Sequence, residues 1–360
     1  MPAADIDVLI RGAGPVGCTL ALALRGCGLT VAILEGGQSN FPNERKIALT
    51  PSFRPIALSY ASRLILERVG VWSALQPTPI ETVDVSQAGG FGRTRLGAAD
   101  AGVPALGYVT EYSVLLQALK APLAGLLSDG EAPSRCVVHA EGAAPEASEK
   151  RYAQDAVVAQ VATDPAAATT AFERFTAAGP LALLPFGGRY ALIWSTTPQR
   201  AAELVAASED EFLRELALAA GSRAGVPVKV GVRSVQPLTL RVRAARIAPR
   251  AVYIGNAAQS LHPVAGQGLN LGLRDAWELA HCLRGAADPG DAATLARYAA
   301  RRRLDAGATV HVTDMLARAF VGSSRIARAS RGVALTALDL LPAPRRFLAR
   351  RMIFGPSALP

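Results

Sequence analysis

Little in this sequence supports a framework of disulfides or metals. The 360 residues include four cysteines, Cys18, Cys27, Cys136 and Cys282, with no C-x-x-C spacing among them. The four histidines, His139, His262, His281 and His311, are equally scattered. The expectation is a reducing compartment and no metal. No apolar run reaches the roughly 18–20 residues needed to cross a bilayer. Asp5 and Asp7 stand where a signal peptide would be basic. A cytoplasmic location follows as an expectation, with the inner face of the cytoplasmic membrane left open. Aromatic residues are only 6% of the chain, and none interleave with clustered Lys or Arg, which disfavours nucleic acid as a partner.

What is present points to a packed globular protein, since 50% of residues are hydrophobic and 19% charged. The 38 basic residues exceed the 29 acidic ones, giving +9. Most of that excess is Arg late in the chain, which suits lipid headgroups or acidic partner proteins.

Residues 7–11 form an apolar run ending in a glycine turn, residues 15–28 are apolar up to Gly26 and Gly28, and residues 30–35 are β-branched. This is a βαβ unit. Residues 36–55 read as a loop, 56–76 as a helix through Leu58, Leu64, Leu66 and Val69, 80–96 and 103–109 as strands, and 111–127 as a helix. From 151 the character changes to short alternating segments, as in an antiparallel sheet, with a helix over 208–220. Residues 251–255 are a strand ending in glycine, followed by a loop and a helix from about Leu269. The remainder is helical and Arg-rich, broken at Pro342 and Pro344.

Gly12-Ala13-Gly14-Pro15-Val16-Gly17 is a G-x-G-x-x-G run between strand and helix. Gly12 permits the turn, Gly14 admits a diphosphate to the backbone, and Gly17 lets helix and strand pack closely. Free N–H groups at the helix start then face the anion. Glu35, eighteen residues beyond Gly17, ends the second strand and can accept hydrogen bonds from ribose hydroxyls. An acid there favours ribose over a 2′-phosphate.

The second informative segment runs from Tyr253-Ile-Gly255-Asn256-Ala-Ala-Gln259 through His262-Pro263-Val-Ala-Gly266-Gln267-Gly268-Leu269-Asn270 to Arg274-Asp275. It is a strand end, a Pro/Gly loop and a helix start, which favours negative charge such as a reduced flavin acquires. It resembles the second FAD fingerprint of group A flavoprotein monooxygenases, the para-hydroxybenzoate hydroxylase superfamily. The likeness is greatest to the ubiquinone-biosynthesis hydroxylases. Asn256 stands for the usual Asp and Gln259 for the usual His, a version similar to the 2-octaprenyl-6-methoxyphenol hydroxylase branch. Arg54-Pro-Ile-Ala-Leu-Ser59, the strands around Phe175 to Pro185, and the tail Leu340-Leu-Pro342 to Phe354-Gly355 are similar to further family segments.

The resemblance implies an α/β fold: a Rossmann-like FAD-binding domain with an inserted antiparallel β-sheet substrate lobe and a helical C-terminus. The expected division is 1–150 and 245–300 for FAD, 151–244 for the lobe, and 301–360 for the basic helical end. It also implies that Gly12, Ala13, Gly14, Pro15, Val16, Gly17, Glu35, Arg54, Gln117, Gly255, Asn256, Pro263, Gly266, Gln267, Gly268, Leu269 and Asn270 line the cofactor. Pro263 and His262 are the candidate catalytic residues, with His262 read either as an acid–base group or as loop packing, and Pro263 chiefly as a shaper of the flavin-facing loop. The implied activity is hydroxylation of a polyprenyl phenol with NAD(P)H and O2, by way of a C4a-hydroperoxyflavin. Other ubiquinone-biosynthesis proteins and the membrane surface are the implied partners.

Two features depart from the pattern. The family's middle Asp-Gly is matched by Glu141-Gly142, and the stretch from Gln117 to Glu141 is too short for the strands that usually fill it. A flavin-poor partner subunit therefore stands as the alternative to an active hydroxylase.

Overall fold

The computed structural model describes residues 6–35, 53–128, 130, 132–142, 147–261, 266–319 and 325–355, without the side chains of 311–327. The chain begins with β1 (Ile6–Arg11), turns into α1 (Pro15–Ala23) and returns as β2 (Val31–Leu34). Every residue of α1 is buried, so it needs no polar face and lies inside the molecule. Then come β3 (Pro55–Ser59), α2 (Tyr60–Arg68), β4 (Thr78–Ile80), β5 (Thr82–Gln87) and β6 (Arg93–Gly97). The short α3 (Ala98–Ala101), β7 (Gly107–Glu111), α4 (Tyr112–Lys120), β8 (Leu127–Ser128) and β9 (Ser134–His139) follow. Next are β10 (Ala147–Asp164), β11 (Thr170–Phe175), β12 (Pro180–Phe186), β13 (Arg189–Thr196), α5 (Pro198–Ala206), α6 (Glu209–Ala220), β14 (Val226–Val230) and β15 (Ser234–Arg243). The strands β16 (Ile247–Ala248), β17 (Ala251–Tyr253) and β18 (Gln259–Ser260) lead to α7 (Gln267–Leu283). Three helices end the chain: α8 (Ala292–Ala319), α9 (Arg325–Leu340) and α10 (Pro342–Phe354).

Six strands form one sheet in the order β16-β17-β9-β1-β2-β8. β1 runs parallel to both β2 and β9, with Arg11 beside His139. The chain leaves β1 on one side and comes back on the other, so the strand order reverses there. Such a reversal opens a crevice beyond the carboxyl ends of the strands, where ligands bind in open α/β sheets. Its core joins Val8, Ile10, Leu20, Val138, Ile254 and Leu273. Nine strands form the lobe sheet, β18-β15-β10-β13-β12-β11-β5-β6 with β14 beside β10. One face of it packs on α5 and α6 through Leu192, Trp194, Leu204 and Phe212. The other turns toward a small sheet, β3-β7-β4, whose Ile80 and Val109 meet Ala171.

Three sequence expectations change. Residues 55–59 are a strand rather than the first turn of a helix, because Ala57 pairs with Val109 and the Ser59 hydroxyl accepts the Ser62 N–H as N-cap. β5 and β6, within the part assigned to the FAD domain, pair into the lobe sheet through β11, with Thr82 opposite Thr170. A parallel pairing over that separation leaves no local signature in sequence. Pro344 breaks nothing, since Pro342 starts α10 and both prolines fit its first turn, where no intrahelical N–H is required.

Candidate flavin site

The three fingerprint glycines have three different environments. A Cβ on Gly17 would lie 2.1 Å from the Gly12 carbonyl oxygen, so helix and turn touch there. Gly12 has a φ of +112°, and a Cβ on it would meet the Glu141 Cβ at 2.7 Å. Gly14 instead faces open space, with the Tyr112 hydroxyl its nearest neighbour at 3.9 Å. The hollow therefore lies at Gly14, in front of the first N–H groups of α1, where a diphosphate fits. Ala13 holds the turn by accepting the Cys18 thiol at 3.3 Å, and Pro15 occupies the first helical position.

Arg54 reaches the same hollow through Tyr112. Its guanidinium stacks 4.2 Å over the Tyr112 ring, and its carbonyl accepts the Tyr112 N–H at 2.9 Å. Glu35 ends β2 exposed and paired with Lys120 of α4. Gln117 is exposed on that same helix and its side chain has no partner among the described residues.

The second segment meets the first at Val16. Gly255, with φ +57°, would place a Cβ 3.1 Å from the Val16 side chain, and Gly272 one at 2.7 Å. Val16 is thus wedged between the 255 turn and α7. Asn256 is exposed at that turn and free to reach a ligand, whereas Gln259 is buried. Gln259 donates to Asp275 at 2.7 Å and accepts from Arg246, so it serves the protein interior rather than the hollow. Gly266 (φ +59°) precedes α7, and Gly268 has nothing within 4 Å of its Cβ position. His262 and Pro263 lie outside the described residues.

Two expected cofactor contacts need correction at the side-chain level. Asn270 accepts from the Ser59 N–H (2.8 Å) and the Ser62 hydroxyl (2.7 Å), and donates to the carbonyls of Ala57 (2.9 Å) and Gly266 (2.7 Å). Both donors and both acceptor positions of the amide are spent, so it clamps β3 to α7 and has none left for a ligand. Gln267 likewise donates to the Met352 carbonyl of α10 at 3.2 Å.

Sequence reasoning missed a buried ionic network behind the segment. Arg302 binds Asp275 and Asp305, each at 2.7 Å, and Arg274 binds Asp305 at 2.9 Å. The same Asp275 receives the Gly255 N–H at 3.2 Å. Burial would raise the Asp305 pKa, but Arg274 and Arg302 outweigh it and hold the carboxyl below its ordinary range. The signal was the charged pair Arg274-Asp275 between the apolar Leu271, Leu273 and Ala276 of α7. Near the crevice, His139 stacks on Tyr253 at 4.7 Å, and burial together with Arg11 and Arg243 lowers its pKa. Burial raises that of Glu141, partly offset by Arg11. Among the described residues no His, Cys, Asp and Glu cluster could hold a metal.

Comparison with known proteins agrees with this geometry. The FAD binding domain family model matches residues 135–313. Ubiquinone hydroxylase UbiL of Rhodospirillum rubrum is 32% identical over 96% of this chain and 89% of its own length. The 3-demethoxyubiquinol 3-hydroxylase of Escherichia coli is 29% identical over 83% of this chain and 86% of its own length. Among solved structures, p-nitrophenol 4-monooxygenase PnpA of Pseudomonas putida aligns over 99% of both chains, with a TM-score of 0.76 and 16% identity. The chain belongs to the FAD-dependent monooxygenases, in the family that includes the ubiquinone hydroxylases. FAD is its cofactor, with NAD(P)H as the transient co-substrate typical of that family. The alternative of a flavin-poor partner subunit is not favoured, because the named relatives are hydroxylases and the hollow at Gly14 is intact.

Proposed function

We propose that this protein hydroxylates the aromatic ring of a polyprenyl phenol in ubiquinone biosynthesis. The observation that carries the reading is the near full-length similarity to a ubiquinone hydroxylase, together with an apolar cluster of Ile80, Val83, Val109, Ala171 and Leu184 at the inner face of the lobe. Bound FAD would carry the reducing equivalents of NAD(P)H to oxygen. The chain holds the diphosphate at Gly14 and the α1 N-terminus, with Arg54 beside it. The 266–270 backbone stands at the flavin end, and the lobe sheet excludes water above the ring. Purified protein should be yellow and should oxidise NAD(P)H faster when a prenylated phenol is added, with the hydroxylated product found by mass spectrometry. A colourless chain that added FAD cannot reconstitute would overturn the reading.

The C-terminal helices supply a membrane-facing surface in this proposal. Leu340, Leu341 and Phe347 are exposed beside Arg346 and Arg350, which suits shallow insertion next to anionic headgroups. No described helix is long and apolar enough to cross a membrane. Vesicles containing anionic lipid should sediment the wild type but not a Leu340→Ser, Phe347→Ser double variant. Equal sedimentation of the two would remove this surface from the proposal.

A further inference from the structure

Strand β11 of the lobe sheet carries an acidic side chain, Glu173, that no described residue pairs. Along β11, Phe172 and Arg174 point to the α5–α6 side, where Phe172 meets Tyr190 at 6.0 Å. By strand alternation Ala171, Glu173 and Phe175 take the opposite face, and Ala171 packs there on Ile80 and Val109. Glu173 therefore looks from the lobe toward the FAD-binding half. Its lateral neighbours are Ala182 of β12 and Val85 of β5, both apolar. Farther along that face Phe186 meets Phe53 edge-on at 5.2 Å, next to Arg54 of the cofactor hollow.

Nothing compensates this carboxyl. No described residue gives it a hydrogen bond or an ion pair, and burial alone pushes its pKa up to about 8. Yet the residue is only partly buried and keeps some accessible surface. An unpaired carboxyl in such a place destabilises the fold, and a ligand with a matching hydroxyl is the natural partner.

We propose that Glu173 receives the phenolic hydroxyl of the substrate and takes its proton. The phenol O–H bond breaks, a carboxyl O–H bond forms on Glu173, and the electron pair stays on the phenolate oxygen, enriching the ring for attack on the activated oxygen. No oxidant enters this step. It rests on the phenol-hydroxylase reading and adds the residue that binds and ionises the ring. The described elements packed on this face are β4, β7, β5 and β12. Around Glu173 they present Ile80, Val109, Val83, Val85, Ala182 and Leu184; the titrating and charged groups on the same side are Glu111 at the end of β7 and Arg331 of α9, whose Nε reaches Gln87 of β5 at 3.5 Å.

The test compares FAD-loaded wild type with Glu173→Gln, which keeps the shape and removes the charge. Bound 4-nitrophenol is titrated by its phenolate colour without NAD(P)H. Its transition should lie about tenfold or more apart in proton concentration between the two proteins, lower in pH for the wild type, because the protonated Glu173 carboxyl donates to the phenolate and stabilises it. In turnover, kcat/KM for hydroxylation should fall on the order of 10²–10⁴-fold, and the rise of activity with pH near 8 should vanish. Flavin content and Tm should be kept, which separates this role from a structural one. Identical phenol titrations, or an unchanged pH profile, would overturn the assignment. A wild type that shows the Glu173-dependent titration but forms no hydroxylated product would sink the hydroxylase reading and leave the contact standing. A wild type that binds no phenol would sink both.

Discussion

Gly14→Val is expected to fold and to lose FAD, whereas Gly17→Ala is expected to be strongly destabilised. At Gly14 the backbone has φ −77° and ψ 177°, which any residue adopts, and only the Tyr112 hydroxyl lies within 4 Å of the Cβ position. The fold should lose no more than about 1 kcal/mol through the weaker N-cap. The side chain then fills the hollow before the α1 N-terminus, where the diphosphate needs close approach to the backbone. FAD affinity should drop at least about a hundredfold, or ~2.7 kcal/mol. At Gly17 the added carbon would sit 2.1 Å from a backbone oxygen that cannot move aside without breaking the turn. Overpacking typically costs about 1–3 kcal/mol, and a clash with fixed backbone lies at the upper end of that range. Flavin absorbance after gel filtration, read beside thermal unfolding, distinguishes the two variants. Full flavin retention by Gly14→Val would place the diphosphate elsewhere.

The second large effect should come from Asp275→Ala. Asp275 is fully buried and takes Arg302, Gln259 and the Gly255 N–H at once. Its removal leaves the Arg302 guanidinium without one of its two carboxylates, and breaking a buried pair in this way costs about 3–5 kcal/mol. Asp275→Asn should cost less, since the Gly255 N–H keeps an acceptor. Replacing Arg302 by Met in the Asp275→Asn background should recover part of the loss, because the stranded charge then goes too. The network also fixes the sign of acid sensitivity. Asp305 has a folded pKa below its ordinary 3.8, so its contribution is full above that value and is lost as pH falls through the lower folded one. Denaturant melts at stepped pH should show stability falling below pH ~4, less steeply in Asp305→Asn. Stability of Asp275→Ala within ~1 kcal/mol of the wild type would contradict the account.

The sequence made the cofactor half legible because its signals are local. Gly12, Gly14 and Gly17 fall at fixed spacing between a strand and a helix, and the Gly255 turn announces itself as a strand ending in glycine. The lobe was harder to delimit. β5 and β6 look like strands in sequence, but the parallel partner of β5 is β11, a tertiary fact. Leu58 fits a helical period by accident of spacing, and Ser59 decides the matter by capping the next helix. Asn270 and Gln267 belong to a recognisable motif, yet the motif cannot say whether their amides face ligand or protein. Glu173 was invisible for a related reason. It sits in an ordinary alternating strand, and only the sheet's place over the FAD half gives its side of the strand a meaning.

The wedge of Val16 between Gly255 and Gly272 has a consequence for how the molecule is made. The hollow at Gly14 is closed from behind by residues that leave the ribosome some 240 positions later. A nascent chain that has completed its first βαβ unit still lacks the second wall of the cofactor pocket. Flavin capture is therefore a late event in synthesis, after the lobe has been threaded, and the order of translation separates folding of the nucleotide turn from its loading.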